Sequence, residues 1–245
     1  MYKITKSNLV VKGAFFLGVL CSLGAQADEN YVTAGSAYNL EDNQLIYREL
    51  YTAINADKEV KVDYVAPDGR QFATKLLSYK GALFQPEFTF EDQRDNERLS
   101  AQFQGARLVL RHSMGISANE KLIMDNARVV IDAGFDAYIQ LHWDKLLSGK
   151  QMKFDFAMPS RLEVINLEVR KIKAKESPLY NTQYGSTWEY FRIQPTRKLL
   201  SFFSDPIYLA YDPNGKYLMR FQGRSNIDDA RGAPWDVRIE YEYLN

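Results

Sequence analysis

Asp132, Asp136, His142 and Asp144 fall in one short stretch, IDAGFDAYIQLHWDKLLSG, residues 131–149. Carboxylates and an imidazole are the usual carriers of general acid–base chemistry, which needs both groups to converge on one pocket. The element that carries them therefore decides what they can do. Phe135, Tyr138, Ile139, His142 and Leu146 follow offsets 0, 3, 4, 7 and 11, which predicts a helix over about 134–147. On such a helix the three acids, spaced by four and eight residues, share one side, whereas His142 falls in the apolar stripe. Acid and base are separated. The expected roles are an N-cap for Asp132, a solvated position for Asp136 and Asp144, and a half-buried one for His142. Ser148-Gly149 supplies a stop, with Lys145 and Lys150 where cations suit a helix end. No catalytic residue is assigned.

Other chemistries find less support. His112 and His142 stand 30 residues apart, and the acidic pairs Glu91-Asp92 and Asp228-Asp229 do not follow a calcium-loop pattern, so no metal site is assigned. Gly223-Arg224-Ser225-Asn226-Ile227 approaches a nucleophile elbow but lacks the second glycine, and is expected to be a turn. No glycine-rich phosphate loop is found, and no cofactor is implied. Arg94, in the charged run from Gln93 to Arg98, could meet a phosphate or carboxylate head group from a surface loop. Trp143, Trp188 and Trp235 suit either a core or an apolar cavity.

Residues 1–27 are expected to be a secretory signal peptide. Lys3, Lys6 and Lys12 precede the ten-residue apolar run Ala14 to Leu23, and Ala25-Gln26-Ala27 fits a cleavage site. The apolar run is short for a membrane span, which takes about 20 residues. Removing three lysines and no acid leaves 28 basic against 31 acidic residues, a formal charge of −3. That balance does not favour nucleic acid as a partner. Cys21 leaves with the signal, so thiol nucleophiles and cysteine-ligated metals are excluded from residues 28–245. The expected location is the periplasm of a Gram-negative envelope.

Those remaining residues read as one β-rich domain. Pro67-Asp68-Gly69 and Pro213-Asn214-Gly215 are hairpin signals between β-forming runs. Val237 to Tyr243 alternates an apolar Val/Ile/Tyr/Tyr face with an Arg/Glu/Glu face. Further strands are expected at residues 44–54, 60–65, 72–79, 87–91, 98–102, 107–112, 121–124, 151–158, 161–173, 187–194, 207–211 and 217–221. The fold class is therefore mainly β: one strongly curved antiparallel sheet or barrel-like domain of roughly a dozen strands, with one main helix packed against it or plugging it. A transmembrane barrel is disfavoured by the interrupting helix and the dense charge at residues 92–98.

The stretches IDAGFDAYIQLHWDKLLSGK and DPIYLAYDPNGKYLMRFQGRSNIDDARGAPWDVRIEYEY resemble a group of uncharacterised secreted proteobacterial proteins, over most of the chain. The architecture is also similar to the periplasmic lipoprotein carriers, in which a curved sheet wraps a helix. No functional residue of the carriers maps onto this sequence. What the likeness implies is an apolar cavity between sheet and helix, suited to acyl chains. The leading expectation is a non-catalytic periplasmic binding or carrier protein for a lipid or other apolar ligand. Phe135, Tyr138, Ile139, His142, Trp143 and Arg94 are the expected ligand-binding residues, and peripheral contact with envelope membranes or proteins is a further expectation. Two alternatives stand beside it. One is an envelope enzyme using Asp, Arg and His; its mark would be a strongly shifted carboxyl or imidazole in a pocket. The other is an assembly or scaffolding factor acting through its surface; its mark would be an apolar patch or an unpaired sheet edge.

Overall fold

The computed structural model describes residues 31–55, 58–123, 128–183, 187–196, 205–229 and 231–244; the expected signal segment and its cysteine lie outside them. Fifteen strands form one sheet. The first eight are β1 (Thr33–Asn39), β2 (Leu45–Ile54), β3 (Glu59–Val65), β4 (Gln71–Ser78), β5 (Glu87–Asp92), β6 (Glu97–Gln104), β7 (Arg107–Met114) and β8 (Ser117–Ile123). After β9 (Val129–Ile131) come two short helices, α1 (Gly134–Leu141) and α2 (Trp143–Leu147). The rest are β10 (Met152–Met158), β11 (Glu163–Ile172), β12 (Glu189–Pro195), β13 (Ile207–Asp212), β14 (Tyr217–Asp228) and β15 (Pro234–Tyr243).

The strand order is two meanders joined at their centre. β1 lies between β2 and β15; one arm runs outward to β8 and the other to β9. All neighbours are antiparallel except β9 and β10, which are parallel because the helices make the crossover between them. The proline-centred hairpins fall where expected, between β3 and β4 and between β13 and β14. β1 and β9 were not foreseen. β1 (TAGSAYN) runs Ala-Gly-Ser-Ala through its centre, where β-branched and aromatic types would mark a strand, and three-residue β9 is too short for any period. The Gly223–Ile227 segment is also a correction: it is neither elbow nor turn but the far half of β14, paired with β15 up to a register shift between Arg224 and Asp228.

The sheet curls without closing its ladder. The 3₁₀ turn Pro159–Arg161, between β10 and β11, packs across onto β6 and β7 of the opposite arm. The outer edge of β9 is covered: Ile131 N donates to Phe84 O (3.1 Å) and Gln85 Nε2 donates to Val129 O (2.9 Å). β8 is left as a free edge, with Ser117 to Leu122 exposed on both faces. No helix among the described residues is long and apolar enough to cross a membrane.

The helices plug one end of the barrel. Tyr138, Ile139, Trp143 and Leu146 bury against Phe154, Leu167, Val169, Phe191, Leu209 and Tyr211 of the β10–β14 wall. The expected single helix breaks at His142 (φ −103°, ψ 15°). Beyond the break Trp143, not His142, takes the inward position, with its ring 5.4 Å from Phe191 and 5.6 Å from Tyr211. Burial of large side chains like these contributes about 1.5–3 kcal/mol each, which anchors the plug. The foreseen stop is present: Gly149 has φ +86° and its N–H reaches Leu146 O.

Candidate functional site

A cavity of about 510 Å³ fills the barrel on the other side of the plug. Ala133 and Phe135, at the start of α1, form part of its floor. Phe154, Phe156, Leu167, Ile193, Ile207 and Phe221 line its wall from the β10–β15 arm. Glu97, His112, Arg161, Arg224, Asp228, Gly232 and Pro234 surround its mouth, at the sheet end opposite the helices.

Three ionisable groups face this apolar space from inside. Lys75 lies on β4 at the same parity as the buried Ala73 and Leu77, so the pleat turns it inward. Its ammonium donates to both carboxylate oxygens of Asp132, each at 2.9 Å. Burial alone would lower the lysine pKa; the Asp132 charge more than offsets this and leaves it raised. Asp132 is held at φ +44° between β9 and α1, a left-handed backbone that aspartate tolerates better than most residues. It does not cap the helix as expected. Its carboxylate is taken by Lys75 and by the Ala133 N–H, and Ala133 stands at the N-cap.

Glu49 is the third. It sits on β2 between the inward Tyr47 and Tyr51 and is 5% exposed. Tyr51 Oη donates to Glu49 Oε2 at 2.6 Å, and Tyr241 Oη donates to the same oxygen at 3.4 Å. The long reach of Tyr241 depends on Gly35. In the sheet Gly35 stands directly between Glu49 and Tyr241, and a Cβ there would come within 2.9 Å of the Tyr241 ring. Burial pushes the Glu49 carboxyl up, while the Tyr51 hydroxyl and the Lys75 charge pull it back in part. Both tyrosines are themselves raised well above 10 by burial and by Glu49, so they remain donors.

At the mouth Glu97 is pushed up to about 7 by burial, then by the negative charges of Asp228, Asp95 and Asp92. His112 Nε2 lies 3.0 Å from Glu97 Oε1, an approach without hydrogen-bond alignment. The two arginines there are matched: Arg224 chelates Asp236 (3.0 and 2.8 Å), and Arg161 pairs with Glu163.

The sequence-predicted binding residues separate on this map. Phe135 lines the cavity. Tyr138, Ile139 and Trp143 do not; they are core, because the helix turns that face to the β10–β14 wall. His142 meets the Tyr138 ring edge to face at 4.5 Å, and burial followed by the Lys145 charge lowers its pKa. Arg94 is outside the cavity; it chelates Asp92 and lies 4.2 Å over the Phe72 ring. Asp136 is not solvated as expected. Tyr211 Oη and Gln140 Nε2 donate to it at 2.8 and 2.9 Å, and burial pushes it up to about 6 against those bonds. Asp144 is exposed, in line with its expected role. Glu49, Lys75, Glu97 and His112 were missed. The available signal was period two: each is a polar residue at an inward position of an otherwise apolar strand face, as in Tyr47-x-Glu49-x-Tyr51.

No family model matches the sequence, and no curated protein does. Among solved structures the chain is similar to a β-barrel-like protein of the domain of unknown function DUF1849 from Brucella abortus. The TM-score is 0.50 at 9% identity, over 88% of this chain and 99% of that one. At that identity the likeness shows the fold, a curved barrel-like β architecture, and leaves function to the site.

Proposed function

We propose that this protein is an exported, periplasmic binding protein that holds a small amphiphilic molecule inside its barrel. The observation that carries this reading is the 510 Å³ cavity with an apolar wall and a few buried polar groups at its floor. Small-molecule sites have this size and this mixture of apolar lining and sparse polar anchors. The helix plug supports the reading, because it closes one end of the barrel and leaves the cavity mouth at the other. Carriage of acyl chains is the form of the reading closest to the expected one.

The test is direct. Protein purified from the envelope fraction and sprayed under native conditions carries a co-purified small molecule, and the emptied protein enhances the fluorescence of an acyl-chain probe. Ile207→Trp, which fills the wall, abolishes probe binding while the circular dichroism spectrum is kept. Protein that is empty and binds no apolar probe contradicts the proposal.

One observation favours a second reading, acid–base catalysis at the mouth. Glu97 and His112 are 3.0 Å apart, and a carboxyl titrating at about 7 suits a general acid or base. Turnover of a model ester or amide that falls on Glu97→Gln, with a pH–rate limb near 7 lost in the variant, supports it. No turnover over a broad substrate panel removes it.

A further inference from the structure

The charge balance of the cavity says what kind of head group the ligand carries. At the floor stand two carboxyls and one ammonium. Lys75 is committed to Asp132 through both of its oxygens at 2.9 Å. Glu49 makes no ion pair among the described residues, and both tyrosine hydroxyls meet the same oxygen, Oε2. Oε1 has no partner among the described residues. A carboxyl buried to 5% exposure beside an apolar cavity, with no cation in direct contact and only part of its burial cost offset by Lys75 and the tyrosines, is a group that a bound cation would complete.

The surroundings agree in sign. Tyr51, Tyr64, Phe88 and Tyr241 line the cavity around Glu49, and aromatic faces attract a cation. An ammonium already sits among these rings: Lys75 Nζ lies 5.8 Å from the centroids of both Tyr64 and Phe88. At the mouth, Arg161 and Arg224 are paired with Glu163 and Asp236, whereas Glu97 and Asp228 stand together as like charges. An anionic head group would meet carboxyls at the mouth and Glu49 at the floor, and would find the only buried ammonium among the described residues occupied. A cation meets a negative balance at both ends: Glu97 and Asp228 beside paired arginines at the mouth, and two carboxyls against one ammonium at the floor.

We propose that Glu49, walled by Tyr51 and Tyr241, is a recognition site for the protonated amine of an amphiphilic ligand whose apolar body lies against the β10–β14 wall. The assignment rests on the binding function proposed above and deepens it by excluding fatty acids and phosphate-headed lipids as preferred ligands.

The experiment compares three probes with one chain length and different heads: decylamine, decanoate and decanol. Each is titrated against the emptied wild-type protein, below its aggregation limit, by displacement of a bound acyl-chain fluorophore. Decylammonium displaces the fluorophore about tenfold more tightly than decanol, and decanoate more weakly than either. In Glu49→Gln the amine loses that tenfold advantage while decanol is unchanged. Decanoate equal to or tighter than the amine in the wild type overturns the assignment, with no variant needed. So does a Glu49→Gln protein that keeps the preference for amine. If none of the three displaces the fluorophore, or the fluorophore itself does not bind, the binding function fails and the assignment falls with it.

Discussion

The two arms of this sheet spend the same architecture in opposite ways. The arm from β9 to β15 is dry: its inner face meets the helices through an aromatic cluster of Tyr138, Trp143, Phe154, Phe191 and Tyr211. The arm from β1 to β8 carries Glu49, Asp63, Lys75, Asp92 and Glu97, all the buried charged residues among those described. Three of these five, Glu49, Lys75 and Glu97, face the cavity. Buried charge is costly and close packing is stabilising. The packed arm thus holds the fold, and the charged arm carries features that packing alone does not require. That asymmetry is why the buried charges of the candidate site come from the second arm while the first supplies its apolar wall, although the catalytic-looking residues cluster in the first.

The contrast can be broken by substitution. Trp143→Ala, which empties the centre of the dry arm, is expected to cost about 3–5 kcal/mol in urea unfolding. A loss below about 1 kcal/mol would mean that the plug is loosely seated. Lys75→Met leaves the largely buried Asp132 carboxylate without its cation, a change worth about 3 kcal/mol in the charged arm. Glu49→Gln should go the other way, at most neutral or slightly stabilising, because it removes a charge that has no ion-pair partner. Equal losses at Lys75 and Glu49 would show that the two carboxyls are equivalent. Gly134→Ala, where the β9 end of one arm meets the β4–β5 loop of the other, brings a Cβ to 2.3 Å from Phe84 O and should cost about 1–3 kcal/mol.

The smaller effects separate the arms by pH. Asp136, in the dry arm, has its folded-state pKa raised to about 6. The unfolded chain binds fewer protons there, so the contribution of protonated Asp136 is complete below about pH 4 and is lost as pH rises through about 6. Glu97, in the charged arm, is raised to about 7 and extends the same fall in stability upward to that pH. Thermal midpoints measured between pH 4 and 8 should fall in two parts, the lower flattened by Asp136→Asn and the upper by Glu97→Gln. Asp144→Ala, on the exposed side of the helix, should stay within about 0.5 kcal/mol of wild type at every pH.

Much of the fold was legible because it is written locally. Alternation marked strands such as β3 and β15, and the prolines with their glycines marked two hairpins. The helix was legible from its stripe, but not its break at His142, where the inward position passes to Trp143. β1 was hidden because its residues are chosen for what crosses over them: Gly35 leaves room for the Tyr241 ring. The site was least legible. Glu49 and Lys75 are 26 positions apart and Asp132 is 57 beyond Lys75, so no spacing rule joins them.

From the residue order alone came the elements and their faces: which side of a strand is apolar, where a turn must fall, that the acids and histidine of residues 132–144 do not converge. Periodicity and turn chemistry act over a few residues, and a chain read in order contains them in full. Only the tertiary structure decided that the helix face is core, that Asp136 is drawn into a partly buried bond with Tyr211 and that Asp132 leaves its cap for Lys75. It alone brought Glu49 beneath Tyr241 at the floor of a cavity. Those outcomes depend on how far the sheet curls and on which arm each inward side chain then meets, and curvature is a sum over fifteen strands that no single segment encodes.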